Sequence, residues 1–273
     1  MARDRVEFIQ SQKLPWEPAA IATLGEGVTA KRLSEDGDSG ALSTLLRYRA
    51  GYRAPAGALA VDEEFLVLDG ALEVGGRRFG PFSYAHWPGG FDAGERTSEE
   101  GAVVLSFYSA APEAAPATDC DPARLVEYCD ALEVPYTGNF HPEFPPGAGR
   151  KLLYTDPHTG EASWILGTLP MRWAERSEVH PVVEEMYLLA GESHGDRGVM
   201  RPGAYFWRPA GIPHGPYGTL TGNLYFFRTR GGGLQTEYVD PRKPFRWWPE
   251  YDPALPDSMQ PYGGETERLS RCW

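Results

Sequence analysis

Gly203-Ala-Tyr-Phe-Trp-Arg-Pro209-Ala-Gly211-Ile-Pro-His214 is the stretch on which the reading of this 273-residue chain turns. A short aromatic run, Tyr205-Phe-Trp, ends in Pro209 and Gly211, and a histidine follows the turn. Proline and glycine make such turns because one presets φ and the other tolerates positive φ. Upstream stands a second string: His180, three residues, Glu184, six residues, Gly191. Glu178 lies two before His180, so on a strand both face the same side. Short alternating segments between scattered Gly and Pro, such as 41–48, 65–68, 103–108, 163–168 and 224–228, predict an all-β chain.

The two strings resemble the signature motifs of the cupin superfamily. The first family motif is His-x-His, three or four residues, Glu, six residues, Gly. The second is Gly, five residues, Pro-x-Gly, two residues, His, three residues, Asn. Two fixed positions differ here: Glu178 stands for the first His and Gly218 for the final Asn. The resemblance implies a jelly-roll β-barrel, an architecture of short antiparallel strands. It also implies a metal held by His180, Glu184 and His214, with Glu178 as a further ligand, a hydrogen-bond acceptor behind a ligand, or an inward acid held by an arginine. Glu185 competes with Glu184, and the spacing to His180 and Gly191 favours Glu184. Two imidazoles and one carboxylate suit non-haem Fe(II) and leave positions open for substrate or O₂. A second carboxylate moves the preference toward Mn or Fe, while two His and a carboxylate also serve catalytic Zn. Iron is the first expectation, with Mn, Zn and Ni as alternatives.

The chain contains this unit twice. Asp62-Glu63-Glu64-Phe-Leu-Val-Leu-Asp-Gly70 matches Val183-Glu184-Glu185-Met-Tyr-Leu-Leu-Ala-Gly191, an offset of 184 − 63 = 121. Tyr84–Pro88 matches Tyr205–Pro209 and the run from Gly101 matches that from Gly222 at the same offset; Ser39–Ser43 matches Thr159–Ser163 at 120. Internal repetition of this kind marks repeated structural units. With the resemblance, it predicts two tandem cupin barrels. The first copy carries Leu59 where the second has His180, and Asp92 or Ala93 where it has His214. Only Glu63 survives, a poor transition-metal site without an imidazole. The expected layout is an arm over 1–20, a first barrel over 21–112 with its ligands lost, and a linker over 113–148. A metal-binding barrel over 149–232 and an aromatic-rich tail over 233–273 follow. Within the linker, a short helix is predicted over 121–133, capped by Asp121 with Pro122 in its first turn.

Strand parity places Arg172 and Arg176 on the same face as Glu178 and His180. Arg176 is a candidate for binding a substrate carboxylate, and Arg172 and Glu178 are candidates for catalysis. The alternative is that the arginines stay at the surface or pair with Glu175 or Glu178. Tyr205, Trp207 and Tyr217 are candidate pocket walls, or core packing that looks the same in sequence. His158 reads as a turn residue, His194 as a loop residue and His141 as part of the linker.

A formal charge of −12 argues against a nucleic-acid or anionic-membrane partner. No apolar run reaches the ~20 residues of a membrane helix. Three cysteines without motif spacing and a charged start, Met-Ala-Arg-Asp-Arg, predict a cytoplasmic protein with free thiols. The resulting expectation is a metal-dependent enzyme acting on a small organic molecule in the second barrel, with Fe(II)-type oxygenase chemistry first. A redox-neutral isomerase, lyase, decarboxylase or cyclase is one alternative, and a non-catalytic metal-binding sensor is another. The partner expected is the small-molecule substrate, with a homodimer left open.

Overall fold

The computed structural model describes residues 3–21, 23–138, 146–239, 244–266 and 271–273. His141 and parts of the expected linker, arm and tail lie outside them. The described residues are almost entirely β, with 3₁₀ turns at Ser11–Lys13, Pro122–Arg124 and Gln260–Tyr262. None of their helices is long and apolar enough to cross a membrane. The chain divides into two compact units, one of Met1–Arg3 with Leu14–Glu133 and one of Asp4–Lys13 with Val134–Trp273.

In the first unit, a seven-stranded sheet runs in the order Val126–Asp130, Ser83–Trp87, Glu63–Gly70, Ala102–Tyr108, Leu42–Tyr48, Val28–Glu35, Glu17–Pro18. A four-stranded sheet runs Tyr52–Ala54, Arg96–Ser98, Leu72–Val74, Arg77–Phe79. In the second unit the corresponding orders are Val6–Gln10, Ala204–Arg208, Val183–Gly191, Asn223–Arg230, Ala162–Thr168, Ala148–Thr155, Thr137–Gly138 and Arg172–Trp173, Gly218–Thr219, Ser193–Gly195, Gly198–Met200. Apart from the first strand of each large sheet, the orders agree strand for strand at the offset seen in the sequence. Side-chain roles repeat with them: Tyr84 donates to Glu64 at 2.8 Å and Tyr205 to Glu185 at 2.6 Å. Each unit has its own apolar core, around Leu46, Phe65, Val104 and Trp87 in the first and Trp164, Met186, Leu188 and Phe206 in the second.

The exceptional first strands correct two expectations. The helix over 121–133 is confined to Pro122–Arg124. Asp121 does cap it, accepting from the Ala123 N–H at 2.9 Å. Val126–Asp130 then leaves as a strand and pairs with Ser83–Trp87. A helix this short is marginal in water, whereas Val126 and Tyr128 suit a strand and the sheet edge offers unpaired backbone groups. The expected N-terminal arm holds a strand, Val6–Gln10, buried at every residue and paired with Ala204–Arg208. The tail lies against this second unit: Ala254 exchanges backbone hydrogen bonds with Glu7, and the Tyr251 hydroxyl donates to the Phe8 carbonyl at 3.0 Å.

Gly191, the last fixed position of the upstream string, has φ +77, and a Cβ there would run into the Gly222 carbonyl oxygen. Gly70 stands in the same conflict with Gly101. Gly191→Ala is therefore expected to destabilise the protein by at least about 1–3 kcal/mol, the scale of left-handed backbone strain. The urea midpoint measures this; an unchanged midpoint would contradict the close approach.

Candidate metal centre

Backbone pairing assembles the site. Glu178 N–H donates to the His214 carbonyl at 2.9 Å, and His214 N–H to the Glu178 carbonyl at 3.0 Å. Gly211 N–H donates to the His180 carbonyl at 2.8 Å. The Pro209–Gly211 turn, with φ +78 at Gly211, thereby folds His214 beside Glu178 and His180. Glu184 arrives on the neighbouring strand Val183–Gly191.

Second partners fix the tautomer of each imidazole. His180 Nδ1 lies 2.8 Å from the Gln235 carbonyl and His214 Nδ1 3.0 Å from the Ile212 carbonyl. A carbonyl only accepts, so each Nδ1 carries the proton and each Nε2 presents a lone pair. His214 is 1% exposed and its Nε2 has no hydrogen-bond partner. It faces Glu178 Oε1 at 3.6 Å and Glu184 Oε2 at 3.7 Å, while His180 Nε2 is 3.7 Å from Glu184 Oε1. Two donors each about 2.1 Å from one ion are at most about 4.2 Å apart, so these separations suit a shared cation. One donor atom each from Glu178, His180 and His214 lies within 4.8 Å of the others. A buried lone pair among carboxylates, with nothing to bond, is the pattern a metal satisfies.

Glu184 reaches the same centre but is shared. Its Oε2 accepts from Arg208 Nη1. Arg208 Nε and Nη2 donate to Glu7 Oε1 at 3.1 and 2.7 Å, and Nη2 also to the Tyr217 hydroxyl at 2.7 Å. Burial works against the Arg208 charge, but Tyr217, Glu7 and Glu184 outweigh it and raise its pKa. Burial likewise pushes Glu7 up, yet Arg208 and Arg5 prevail and hold it at about 2. Glu178 is lowered too: burial opposes its charge, and His214, His180 and Arg208 overcome that. The site thus sets the carboxylates of Glu178 and Glu184 against the Nε2 atoms of His180 and His214.

A cavity of about 100 Å³ opens onto Glu178, His180 and Glu184. Arg172, Arg176 and Tyr217 line it, although Arg172 and Glu178 stand on two separate short strands, Arg172–Trp173 and Ser177–Val179, with Arg176 in the bend between them. Arg176 lies 4.4 Å from the Tyr238 ring centre, and Arg172 Nε donates to the Pro146 carbonyl at 3.0 Å. Burial lowers the Arg172 pKa, with Tyr225 and Glu178 in partial opposition. The rest of the wall is largely apolar, including Trp164, Met186, Phe206 and Phe227.

Tyr205 and Trp207 are not in that wall. Successive strand residues alternate faces, and here Phe206 lines the cavity and Arg208 reaches Glu184. Tyr205 instead faces Glu185, which also accepts from Arg228 at 2.8 Å. That pairing removes Glu185 from the centre. His194 corrects another expectation: it is fully buried on Ser193–Gly195, its Nδ1 donating to the Trp247 carbonyl. His158 sits in its predicted turn, with its N–H on Asp156 at 2.8 Å. Glu7, Arg208 and Phe206 were not singled out in the sequence. Cross-strand pairing of Arg208 with Glu184 was the available signal for the second, once the turn length is known.

In the first unit the matching acid is held by an arginine, and a smaller cavity of about 30 Å³ opens onto the pair. Arg96 grips both oxygens of Glu63 at 3.0 and 2.8 Å and donates to the Tyr48 hydroxyl at 3.1 Å. The Tyr108 hydroxyl adds a bond to Glu63 at 3.3 Å.

A family described as a domain of unknown function (DUF4437) matches residues 7–234. No curated protein matches the chain. Among solved structures, a candidate dioxygenase from Nostoc punctiforme superposes with a TM-score of 0.78 at 21% identity, covering 87% of each chain. An oxalate decarboxylase variant from Bacillus subtilis superposes with a TM-score of 0.56 at 13% identity, over 85% of this chain and 79% of that one. Another structure of that decarboxylase, from work on its Mn(II) centres, gives 0.57 at 12% over the same shares. At these identities the likeness is one of fold, and the fold is cupin-like.

Proposed function

The chain belongs to the family described as a domain of unknown function, DUF4437, and from that premise we propose that it is a bicupin enzyme with one metal-dependent site, in its second barrel, for a small organic substrate. The observation that carries this reading is the buried His214 Nε2, without a hydrogen-bond partner beside His180, Glu178 and Glu184. The ion would be held by His180, His214 and Glu178, with Glu184 Oε1 within reach. When bound it supplies a Lewis acid and, as iron, a centre for O₂.

The chain's own residues do the rest. Arg172 and Arg176 are cations in a largely apolar cavity, suited to orient a carboxylate or carbonyl of the substrate. Trp164, Phe206 and Phe227 keep water from it, which strengthens every polar contact inside. Glu178, held ionised, can accept a proton from substrate at its carboxylate when it is not fully engaged as a ligand. Tyr217, fixed by Arg208, presents its ring to the cavity. The bidentate Glu63–Arg96 ion pair supports a structural role for the first copy.

Fe(II)-type oxygenase chemistry is our first assignment. Redox-neutral chemistry on manganese is the second, favoured by the two carboxylates in the donor set. Elemental analysis is expected to find roughly one divalent metal per chain, and oxygen uptake with phenols, diketones or hydroxy acids then separates the two. A chain that takes up no divalent metal on reconstitution is not this enzyme. Turnover on Mn without oxygen uptake selects the second reading.

A further inference from the structure

The two units treat one carboxylate differently. In the first, the guanidinium of Arg96 closes on Glu63 with both terminal nitrogens, one to each oxygen. In the second, Arg208 gives Glu184 only Nη1, on Oε2. Arg96 comes from the small sheet of the first unit, whereas Arg208 pairs beside Glu184 in the large sheet, where the first unit has Trp87. Glu7 takes Nε and Nη2 of Arg208, which form one edge of the guanidinium fork. Glu7 is only 2% exposed and Arg208 2%, so water offers neither an alternative partner. Arg5 holds Glu7 from its other side, Nε and Nη2 reaching Oε2 at 2.9 and 2.6 Å. Oε1 of Glu184, left out of the ion pair, lies 3.7 Å from His180 Nε2.

We infer that Glu7 is a positioning residue for the metal centre: by occupying one edge of Arg208, it keeps the guanidinium from closing on Glu184 and leaves Oε1 available to a divalent cation. Without Glu7, the fork is free to turn both terminal nitrogens onto Glu184, the bidentate geometry that Arg96 reaches on Glu63 from another strand. A bidentate guanidinium and a cation then compete for the same two oxygens. The N-terminal strand thus takes part in the site although it lies far from both motifs in the chain.

This inference rests on the metal reading of the site, and Mn(II) binding to metal-free protein, followed by the EPR signal of free Mn(II), tests the two separately. Glu7→Gln keeps the shape and removes the charge that holds Arg208. Its Kd for Mn(II) is expected to rise about 10- to 100-fold, the usual effect of losing a residue that supports a ligand. Glu7→Gln with Arg208→Met removes the guanidinium as well, and its affinity is expected to return to the wild-type range. A purely structural role for Glu7 would lower the melting temperature of both variants and leave Kd alone. Glu7→Asp keeps the charge but shortens the reach. It is expected to weaken binding in the same direction, and it decides the matter should Glu7→Gln not fold. Folded single variants with wild-type Kd, or a double variant as weak as Glu7→Gln, overturn the inference. Wild-type protein that binds no Mn(II), Fe(II) or Zn(II) overturns the metal reading instead.

Discussion

His214→Ala is expected to strip the protein of its metal, taking occupancy from about one per chain to a small fraction and weakening affinity by more than ~100-fold. The imidazole is buried, its Nδ1 proton is committed to the Ile212 carbonyl, and its Nε2 has no protein partner. Removing it deletes a donor that no neighbour can replace, because Glu178 and Glu184 already face the same point. In the metal-free protein the loss should be modest, about 1–3 kcal/mol, the common range for a point substitution. The diagnostic quantity is therefore the rise in melting temperature on adding metal. Wild type gains stability through binding to the native state alone, and the variant should gain little. A variant that keeps both its metal and its thermal shift would remove His214 from the centre and leave the motif resemblance without chemical content.

Arg208→Ala carries the second large effect. The guanidinium is 2% exposed and is shared by Glu7, Glu184 and Tyr217. Its loss leaves two buried carboxylates short of their main cation, which typically costs about 3–5 kcal/mol. The effect has a pH signature. Glu7 titrates at about 2 in the native state, against an ordinary value of 4.5. A depressed acid stabilises the fold above its unfolded pKa and loses that contribution as pH falls through the folded one. For Glu7 the window runs from about pH 4.5 down to about pH 2, and the contribution is on the order of 3 kcal/mol. Arg208→Ala removes most of it, Arg5 retaining a share. The stability difference between wild type and variant should be largest near neutral pH and shrink as pH drops through that window. Urea unfolding at pH 7 and at steps below pH 4.5 measures this. A difference that stays constant across the window would mean that Arg208 does not hold Glu7 ionised.

The sequence by itself determined the features that depend on local spacing. The Gly203–His214 string and the His180–Gly191 string specify a turn, a strand and a conformational glycine through short-range geometry, and Gly191 and Gly211 adopt the positive φ such places require. The 121-residue offset is legible because each copy repeats its pattern of apolar and turn residues, and the strand orders follow it. Arg172 and Arg176 line the cavity with Glu178 and His180, but across two short strands and the bend between them rather than along one alternating strand. Alternation fails where its phase is unknown. In sequence Tyr205 and Trp207 read equally as pocket wall or core packing; the structure turns Phe206 to the cavity and Arg208 to Glu184, and sets Tyr205 against Glu185. Residues 121–133 failed for another reason: a free sheet edge outcompeted a weak local helix signal. Only the tertiary structure could bring Glu7 to Arg208, 201 positions away, and so decide how Glu184 is shared between an ion pair and the centre. A buried charge takes whichever opposite charge the fold sets beside it, and no local pattern in the chain records that choice.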